Sequence, residues 1–400
     1  MHNQNKCSSG KYGGKELEYL LEFLDHDNPV NKSKKSWSQR FEESFSEKLK
    51  VKYSVAVNSG TSGLHAAMYA ANIQPGDEVI SPALTVIMDA YAIIHVGAKP
   101  VFADINPLTL TIDPNDIERK ITSKTKAIIV VSLQGLSADM DHIMKIAEKH
   151  QLAVIEDSAQ TLLGKYKGRM AGTIGHIGIF SFEAKKHITS GSEGGMIVTN
   201  HDELAVRARK FSGIGYRHMS AFAGRTSLAI SDVQDPNYLR FDTIGLNYRM
   251  SEVQAAVGLA QFERVEELLS KRQQVAKFFD EAIEGCQWMV KQETPRNCEH
   301  SYYTYAVRYQ GTDNLNVSWK EFYDRYKKLG GDGFYGACMI PYLEPSLNDK
   351  EINGATFKRG LCPIAESVQQ EIMQFKTNYR DMEVAKKKAE ILNTLINKLS

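Results

Sequence analysis

Structural zinc, a disulfide framework and a bilayer-spanning segment are all missing from this sequence. Its five cysteines, Cys7, Cys286, Cys298, Cys338 and Cys362, are odd in number and scattered, with no CxxC pair and no histidine-spaced cluster of the kind zinc needs. Free thiols in a reducing compartment are expected. Apolar runs such as AIIVVSL are too short to cross a bilayer, and the leading MHNQNKCSSGKYGG is polar throughout, so the expectation is a cytoplasmic protein with no membrane partner. Excess charge of one sign is absent too. With 49 Lys+Arg against 48 Asp+Glu the formal net charge is +1, which is neither the basic footprint of a nucleic-acid binder nor the charge surplus of a disordered chain.

What is present is an ordinary large core-forming chain: 42% hydrophobic and 24% charged residues over 400 positions, enough for two or three domains without covalent staples. From about residue 50 to 265, short β-branched runs alternate with helical patterns. YSVAV precedes GLHAAMYAA, DEVIS precedes TVIMDAYAII, and KAIIVVSL precedes MDHIMKIAEKH. Such alternation predicts βαβ units and a mostly parallel, buried sheet. SEVQAAVGLAQFERVEELLSKRQQVAKFFDEAI opens with Ser251 and Gln254 in capping-box spacing and predicts one long helix joining two domains. Beyond it, HSYYTYAVRY reads as a strand, and NVSWKEFYDRYKKLG and DMEVAKKKAEILNTLINKLS as helices of a smaller α+β domain. AFAGRTSLAISDVQDPNY reads as a surface loop.

Three stretches carry chemistry. NSGTSGLHAAMYAA follows a strand and opens a helix, a turn whose free N–H groups and Thr61 and Ser62 hydroxyls suit a phosphate, although many α/β proteins build the same turn with no ligand. It is no nucleotide P-loop, because no GxxxxGK precedes the hydroxyls. In AVIEDSAQ, Asp157 ends a strand at the sheet edge where such folds bind ligands, and the alternative is a turn cap. For a metal, no partner ligands lie nearby. In SFEAKKHITSGSEGG a lysine sits on a loop between two strand-like runs, where a single lysine is ordinarily just solvated. Their order matters more than any one of them. An anion cradle, a carboxylate at a strand end and an amine after the next strand are the handles required by pyridoxal 5'-phosphate.

The sequence resembles the DegT/DnrJ/EryC1/StrS family of pyridoxal-phosphate-dependent sugar aminotransferases across nearly its whole length. The stretches that carry the resemblance are FEESFSEKLKVKYSVAVNSGTSGLHAA, GDEVISPALT, GAKPVFADI, AVIEDSAQ, YKGRMAGTIGHIGIFSFEAKKH, EGGMIVTN and LNYRMSEVQAAVGLAQ. The resemblance implies fold type I: a large α/β domain over 1–263, with a mostly parallel seven-stranded sheet between helices, and a small C-terminal α+β domain over 264–400. The family pattern SFxxxK places the Schiff-base lysine at Lys186 and leaves Lys185 without a covalent role. Asp157 is implied to pair with the pyridine nitrogen and Gln160 to contact the ring face or its phenolic oxygen. Thr61, Ser62 and Ser181 are implied to hold the phosphate, and Asn247 to reach it from the partner subunit of an obligate homodimer.

The implied reaction is ping-pong transamination from L-glutamate to a keto or aldehyde sugar, with pyridoxamine 5'-phosphate between the half-reactions. Nucleotide-linked keto-deoxyhexoses are the implied acceptors, with a ketocyclitol or an oxidised sugar acid as alternatives. Val86 stands where the family has a ring-stacking aromatic, which predicts thinner aliphatic packing. Family members that act as sugar dehydratases carry histidine in place of the lysine, so Lys186 speaks against that activity, and His187 reads as a loop residue. A catalytically idle cofactor-binding protein is a further alternative, but no basic helix-turn-helix precedes residue 50. Lys376, Tyr379, Arg380, Arg217 and Arg249 are candidates for anionic substrate groups, each with a plainer reading as a surface or helix-end residue.

Overall fold

The computed structural model describes residues 11–25, 35–222, 228–334 and 338–399. Strands of three or more residues are β1 (Tyr53–Val57), β2 (Glu78–Pro82), β3 (Lys99–Ala103), β4 (Thr125–Val131), β5 (Ala153–Asp157), β6 (Ile177–Ser181), β7 (Gly195–Thr199), β8 (Met289–Lys291), β9 (Thr304–Tyr309) and β10 (Ile372–Lys376). The first seven form one sheet in the order β1-β7-β6-β5-β4-β2-β3. Pairing is parallel at β2–β3, β2–β4, β4–β5 and β5–β6, and β7 alone runs against its neighbours. This is the mostly parallel seven-stranded sheet that the alternating pattern and the resemblance imply. Every residue of β1, β2 and β7 is buried, as a sheet covered on both faces demands.

Helices of nine or more residues are α1 (Glu16–Leu24), α2 (Trp37–Leu49), α3 (Gly60–Ala70), α4 (Ile87–His95), α5 (Met140–His150), α6 (Asp202–Ser212), α7 (Glu252–Glu263), α8 (Val265–Ala282), α9 (Trp319–Lys328) and α10 (Met382–Leu399). The period of two along each strand sorts its residues between two faces. Val79, Ile129, Ile155, Ile179 and Ile197 pack with α3 and α4, together with Ile340, Tyr342, Phe357 and Val368 from further along the chain. On the other face Phe180 and Phe182 meet Phe41 and Phe45 of α2 and Phe262 of α7. Ring centroids there stand 4.6 Å apart for Phe45–Phe262, 5.1 Å for Phe45–Phe180 and 5.2 Å for Phe41–Phe182. A second core joins α8, α9 and α10 to the antiparallel sheet β8-β9-β10 through Phe279, Tyr305, Phe322, Tyr326, Phe375 and Leu392.

One expectation needs correcting. The long pattern after Ser251 is two helices, broken at Arg264 (φ −113°, ψ 20°). The capping box at Ser251 and Gln254 is present as the spacing predicts. However, α7 is buried along the whole of Ala255–Phe262, whereas α8 buries only a stripe through Val265, Arg272, Val275, Ala276 and Phe279. The first turn of α8 still packs with α7 through Val265, whereas Val275, Ala276 and Phe279 join a second core, and the chain turns between the two helices. In the segment read as a loop, residues 223–227 lie outside the described residues, and Ile230–Gln234 forms a short helix with no buried residue. Cys286, Cys298, Cys338 and Cys362 form no disulfide, and Cys7 lies outside the described residues.

Phe45 is fully buried among four other phenylalanines. Phe45→Ala is expected to cost about 3–5 kcal/mol of unfolding free energy in urea denaturation. A loss under about 1 kcal/mol would show that the cluster collapses freely and does not brace β6.

Candidate active site

The site is built where strand ends meet the start of α3. Ser59 caps that helix: its Oγ accepts the Ser62 N–H at 3.0 Å, while the Ser62 hydroxyl donates to Asn58 Oδ1 at 2.6 Å. Ser62 is therefore buried within the turn, whereas Thr61 is exposed at its rim. The turn touches β6. A side chain at Gly60 would come within 2.9 Å of the Ser181 Cβ, so only glycine allows Ser181 to lie against the first turn of α3. Ser181 faces that way because Phe180 and Phe182, on either side of it, are drawn into the aromatic cluster on the opposite face.

Asp157 ends β5, only 2% exposed, and accepts the Ala159 N–H at 2.8 Å. Burial pushes its carboxyl upward, against the opposing pull of that N–H and of the Lys186 ammonium. Gln160 follows three residues later, also buried, and its Oε1 accepts the Gln134 N–H at 2.8 Å, which leaves its amide nitrogen to donate elsewhere. Gln134 holds a left-handed backbone (φ 60°) to make this bond.

The two lysines of the loop after β6 part company. Lys185 is exposed; Lys186 is largely withdrawn from water, with its Nζ 4.7 Å from the centre of the Tyr303 ring. Burial lowers the Lys186 amine below its ordinary value, with Asp157 and Glu183 acting in the other direction. The loop is held by Arg272, a buried residue of α8, which donates to the carbonyls of Lys185 (3.1 Å) and Lys186 (2.9 Å) and to those of Tyr303 and the Thr377 hydroxyl. His187 points away, its Nε2 2.9 Å from the Ser301 carbonyl, and burial pushes it well below its ordinary value, so it is a neutral packing residue.

Lys186 lines a cavity of about 490 Å³ together with Lys11, Arg264, Lys271, Arg272, Lys376 and Arg380, and among the described residues Asp381 is the one carboxylate on its wall. Of the candidates for anionic groups, Lys376, Tyr379 and Arg380 are brought here, although the Tyr379 hydroxyl already donates to Asp332 at 2.7 Å. Arg217 and Arg249 are not: Arg217 lies over the Tyr238 ring, and Arg249 bridges to Val57. Asn247 is exposed on the surface beside Asn58, held through its own carbonyl at 3.4 Å. Val86 is half-buried immediately before α4 and makes no side-chain cap.

Sequence reasoning passed over Arg272, Gln134 and, most of all, Asp89. Asp89 is completely buried on α4, its Oδ2 accepts the Thr85 hydroxyl at 2.6 Å, and its Oδ1 has no hydrogen-bond partner. The available signal was an acid inside the otherwise apolar run TVIMDAYAII.

Comparison with known proteins follows the same lines. Residues 13–372 match the DegT/DnrJ/EryC1/StrS aminotransferase family. The chain belongs to that family. It is 39% identical over 294 residues to GDP-perosamine synthase of Escherichia coli O157:H7, spanning 74% of this chain and 75% of the relative. To the GDP-perosamine synthase of Caulobacter vibrioides it is 38% identical over 297 residues, 74% of each. An aminotransferase structure from Psychrobacter cryohalolentis superposes with a TM-score of 0.82 at 28% identity, covering 100% of this chain and 98% of the other.

As a sugar aminotransferase of this family the chain depends on pyridoxal 5'-phosphate, interchanged with its pyridoxamine form. The donor set fits that group. A glycine-permitted cradle at Gly60 and Ser181, a desolvated amine at Lys186, and a buried carboxyl, Asp157, that interacts electrostatically with that amine are the features such a group needs.

Because the lysine is charged in water and burial disfavours that charge, Lys186→Met is expected to raise the unfolding midpoint of cofactor-free protein at neutral pH. The sign follows from a folded-state value held below the ordinary 10.5. The gain is full below the folded value and fades as pH rises towards 10.5. Lys186→Ala is expected to abolish the visible cofactor absorbance and turnover while Lys185→Ala keeps both; the reverse pattern would overturn the register.

Proposed function

We propose that this chain moves an amino group from L-glutamate to the keto carbon of a nucleotide-diphosphate-linked deoxyhexose, as a cytoplasmic homodimer with shared sites. The observation that carries this reading is the placement of a desolvated Lys186 on the wall of a cavity whose lining is mostly cationic among its charged groups. A diphosphate and a donor carboxylate are both anionic, and a cleft lined by Arg and Lys with one Asp selects for them. The name GDP-perosamine synthase, borne by three relatives, points to the same chemical class.

When bound, pyridoxal phosphate supplies the electron sink that makes the hydrogen on the amine-bearing carbon acidic. The chain's residues do the rest. Lys186 Nζ would hold the cofactor and, in its neutral form, would serve as the base that moves a proton at the reacting carbon. Asp157 holds the proton on the pyridine nitrogen. Ser181, Thr61, Ser62 and the free N–H groups of α3 hold the phosphate. Gln160 donates towards the ring or its phenolic oxygen. Arg272 fixes the loop so that Nζ has a defined reach.

The dimer reading rests on an apolar stretch that this chain leaves in water: Ile230, Leu239, Phe241, Leu246 and, at 96% exposure, Ile244. It runs into Asn247, the residue assigned to the partner's phosphate site. The division into 1–263 and 264–400 is supported by the break at Arg264. A dehydratase is disfavoured by Lys186 itself, and an idle binding protein by the completeness of the cleft.

Two outcomes follow. Arg380→Ala is expected to raise KM for the nucleotide-linked sugar about tenfold, the worth of one charge-assisted hydrogen bond, while the glutamate half-reaction still bleaches the cofactor band. An unchanged KM would remove Arg380 from the site. Ile244→Asp with Phe241→Asp is expected to give monomers by light scattering and to lose activity; active monomers would refute the shared site.

A further inference from the structure

The fully buried Asp89 is the most conspicuous polar group in the molecule that the reaction described above leaves unused. Its carboxyl lies within hydrogen-bond reach of Asp157, and the charged groups that face it are Asp157 on β5 and Lys186 on the loop after β6. Two buried carboxyls in such close interaction resist double ionisation, since water does not reach them and the single ammonium of Lys186 cannot neutralise two charges. Their remaining partners decide where the proton resides. Asp157 has the Ala159 N–H and the Lys186 ammonium, which both favour the carboxylate. Asp89 has the Thr85 hydroxyl on Oδ2 and nothing on Oδ1. The start of α4 favours an anion at Asp89 by only about 0.3–1 kcal/mol, too little against a like charge in an apolar cleft.

An Oδ1 with no donor is what a protonated oxygen aimed at a carboxylate looks like, because in that bond Oδ1 is itself the donor. We propose that Asp89 is a positioning residue: its neutral carboxyl donates from Oδ1 to the Asp157 carboxylate and so holds that group ionised and correctly turned for the pyridine nitrogen. Burial and the Asp157 charge both push Asp89 upward, in keeping with a proton retained at neutral pH. The arrangement also explains why a carboxylate can stand at the end of β5 before any cofactor arrives: the pair carries one negative charge between two residues, with its proton bond already made. This inference rests on the assignment of Asp157 to the ring nitrogen.

The decisive experiment uses cofactor-free protein. An infrared difference spectrum at pH 7, wild type minus Asp89→Asn, is expected to contain one protonated-carboxyl C=O band that shifts in heavy water. No such band, or one that persists in Asp89→Asn, overturns the proposal. With pyridoxal 5'-phosphate as the probe, Asp89→Asn, whose amide still donates, is expected to keep affinity within about twofold, whereas Asp89→Leu loses about tenfold or more. Equal affinities and equal visible spectra for the two variants would refute the positioning role. Asp157→Asn separates the two ideas: if it binds the cofactor with an unchanged spectrum, the assignment of Asp157 fails whatever the infrared result.

Discussion

Along Phe180–Ser181–Phe182 the period of two puts alternate side chains on opposite faces of the sheet, and this constraint organises the rest of the site. The phenylalanines must enter the aromatic cluster with Phe41, Phe45 and Phe262, because exposing them would forfeit on the order of 2 kcal/mol each. Ser181 is thereby turned to the other face, against Gly60 and the start of α3. The loop that leaves β6 then begins from a fixed position, and Arg272 grips its carbonyls from α8. A lysine five residues after Ser181 ends in the cleft and its neighbour ends in water. The motif SFxxxK thus reads as a packing statement at its first two positions and a chemical one at its last.

The cleft concentrates groups that ordinary folding keeps apart. The Lys186 amine lines a cavity walled by several cations and at the same time interacts with two buried carboxyls, Asp157 and Asp89, in surroundings where desolvation makes every charge costly and every pairing strong. This is a cost in stability borne by the cofactor-free chain, and it is the reason the lysine loses basicity and an acid can keep its proton. The surrounding packing is dense enough to sustain it: the sheet is buried on both faces, and the second core of α8, α9, α10 and the small sheet holds the residues that close over the lysine.

Much of this was legible in the chain. Alternating β-branched and helical runs predicted the parallel sheet because burial on both faces leaves continuous apolar strands, and the Ser251 capping box was legible because it depends on two residues three apart. The order of cradle, acid and lysine was legible too, since each sits at a strand end that local patterns mark. The helix break at Arg264 was not, because amphipathic periodicity carries through it and only the change of packing partner ends α7. Residues 338–372, which lie in the chain between α9 and α10 yet pack largely on the core of the large sheet, have no local pattern that announces it.

The choice between Lys185 and Lys186 shows the same division. Spacing from Ser181 and the family resemblance singled out Lys186; the physical reason, that one side chain is buried over Tyr303 and the other left in water, exists only once α8 and β9 have come together. Asp89 and Asp157 are 68 residues apart in the chain and belong to different elements, so no sequence pattern marks them as a pair. The sequence by itself determined the elements, their order and the residue types at the strand ends, because those depend on local periodicity and short-range caps. Only the tertiary structure decided which charges share the cleft and which of them lose water, because desolvation and proton sharing depend on distances between segments that no local pattern contains.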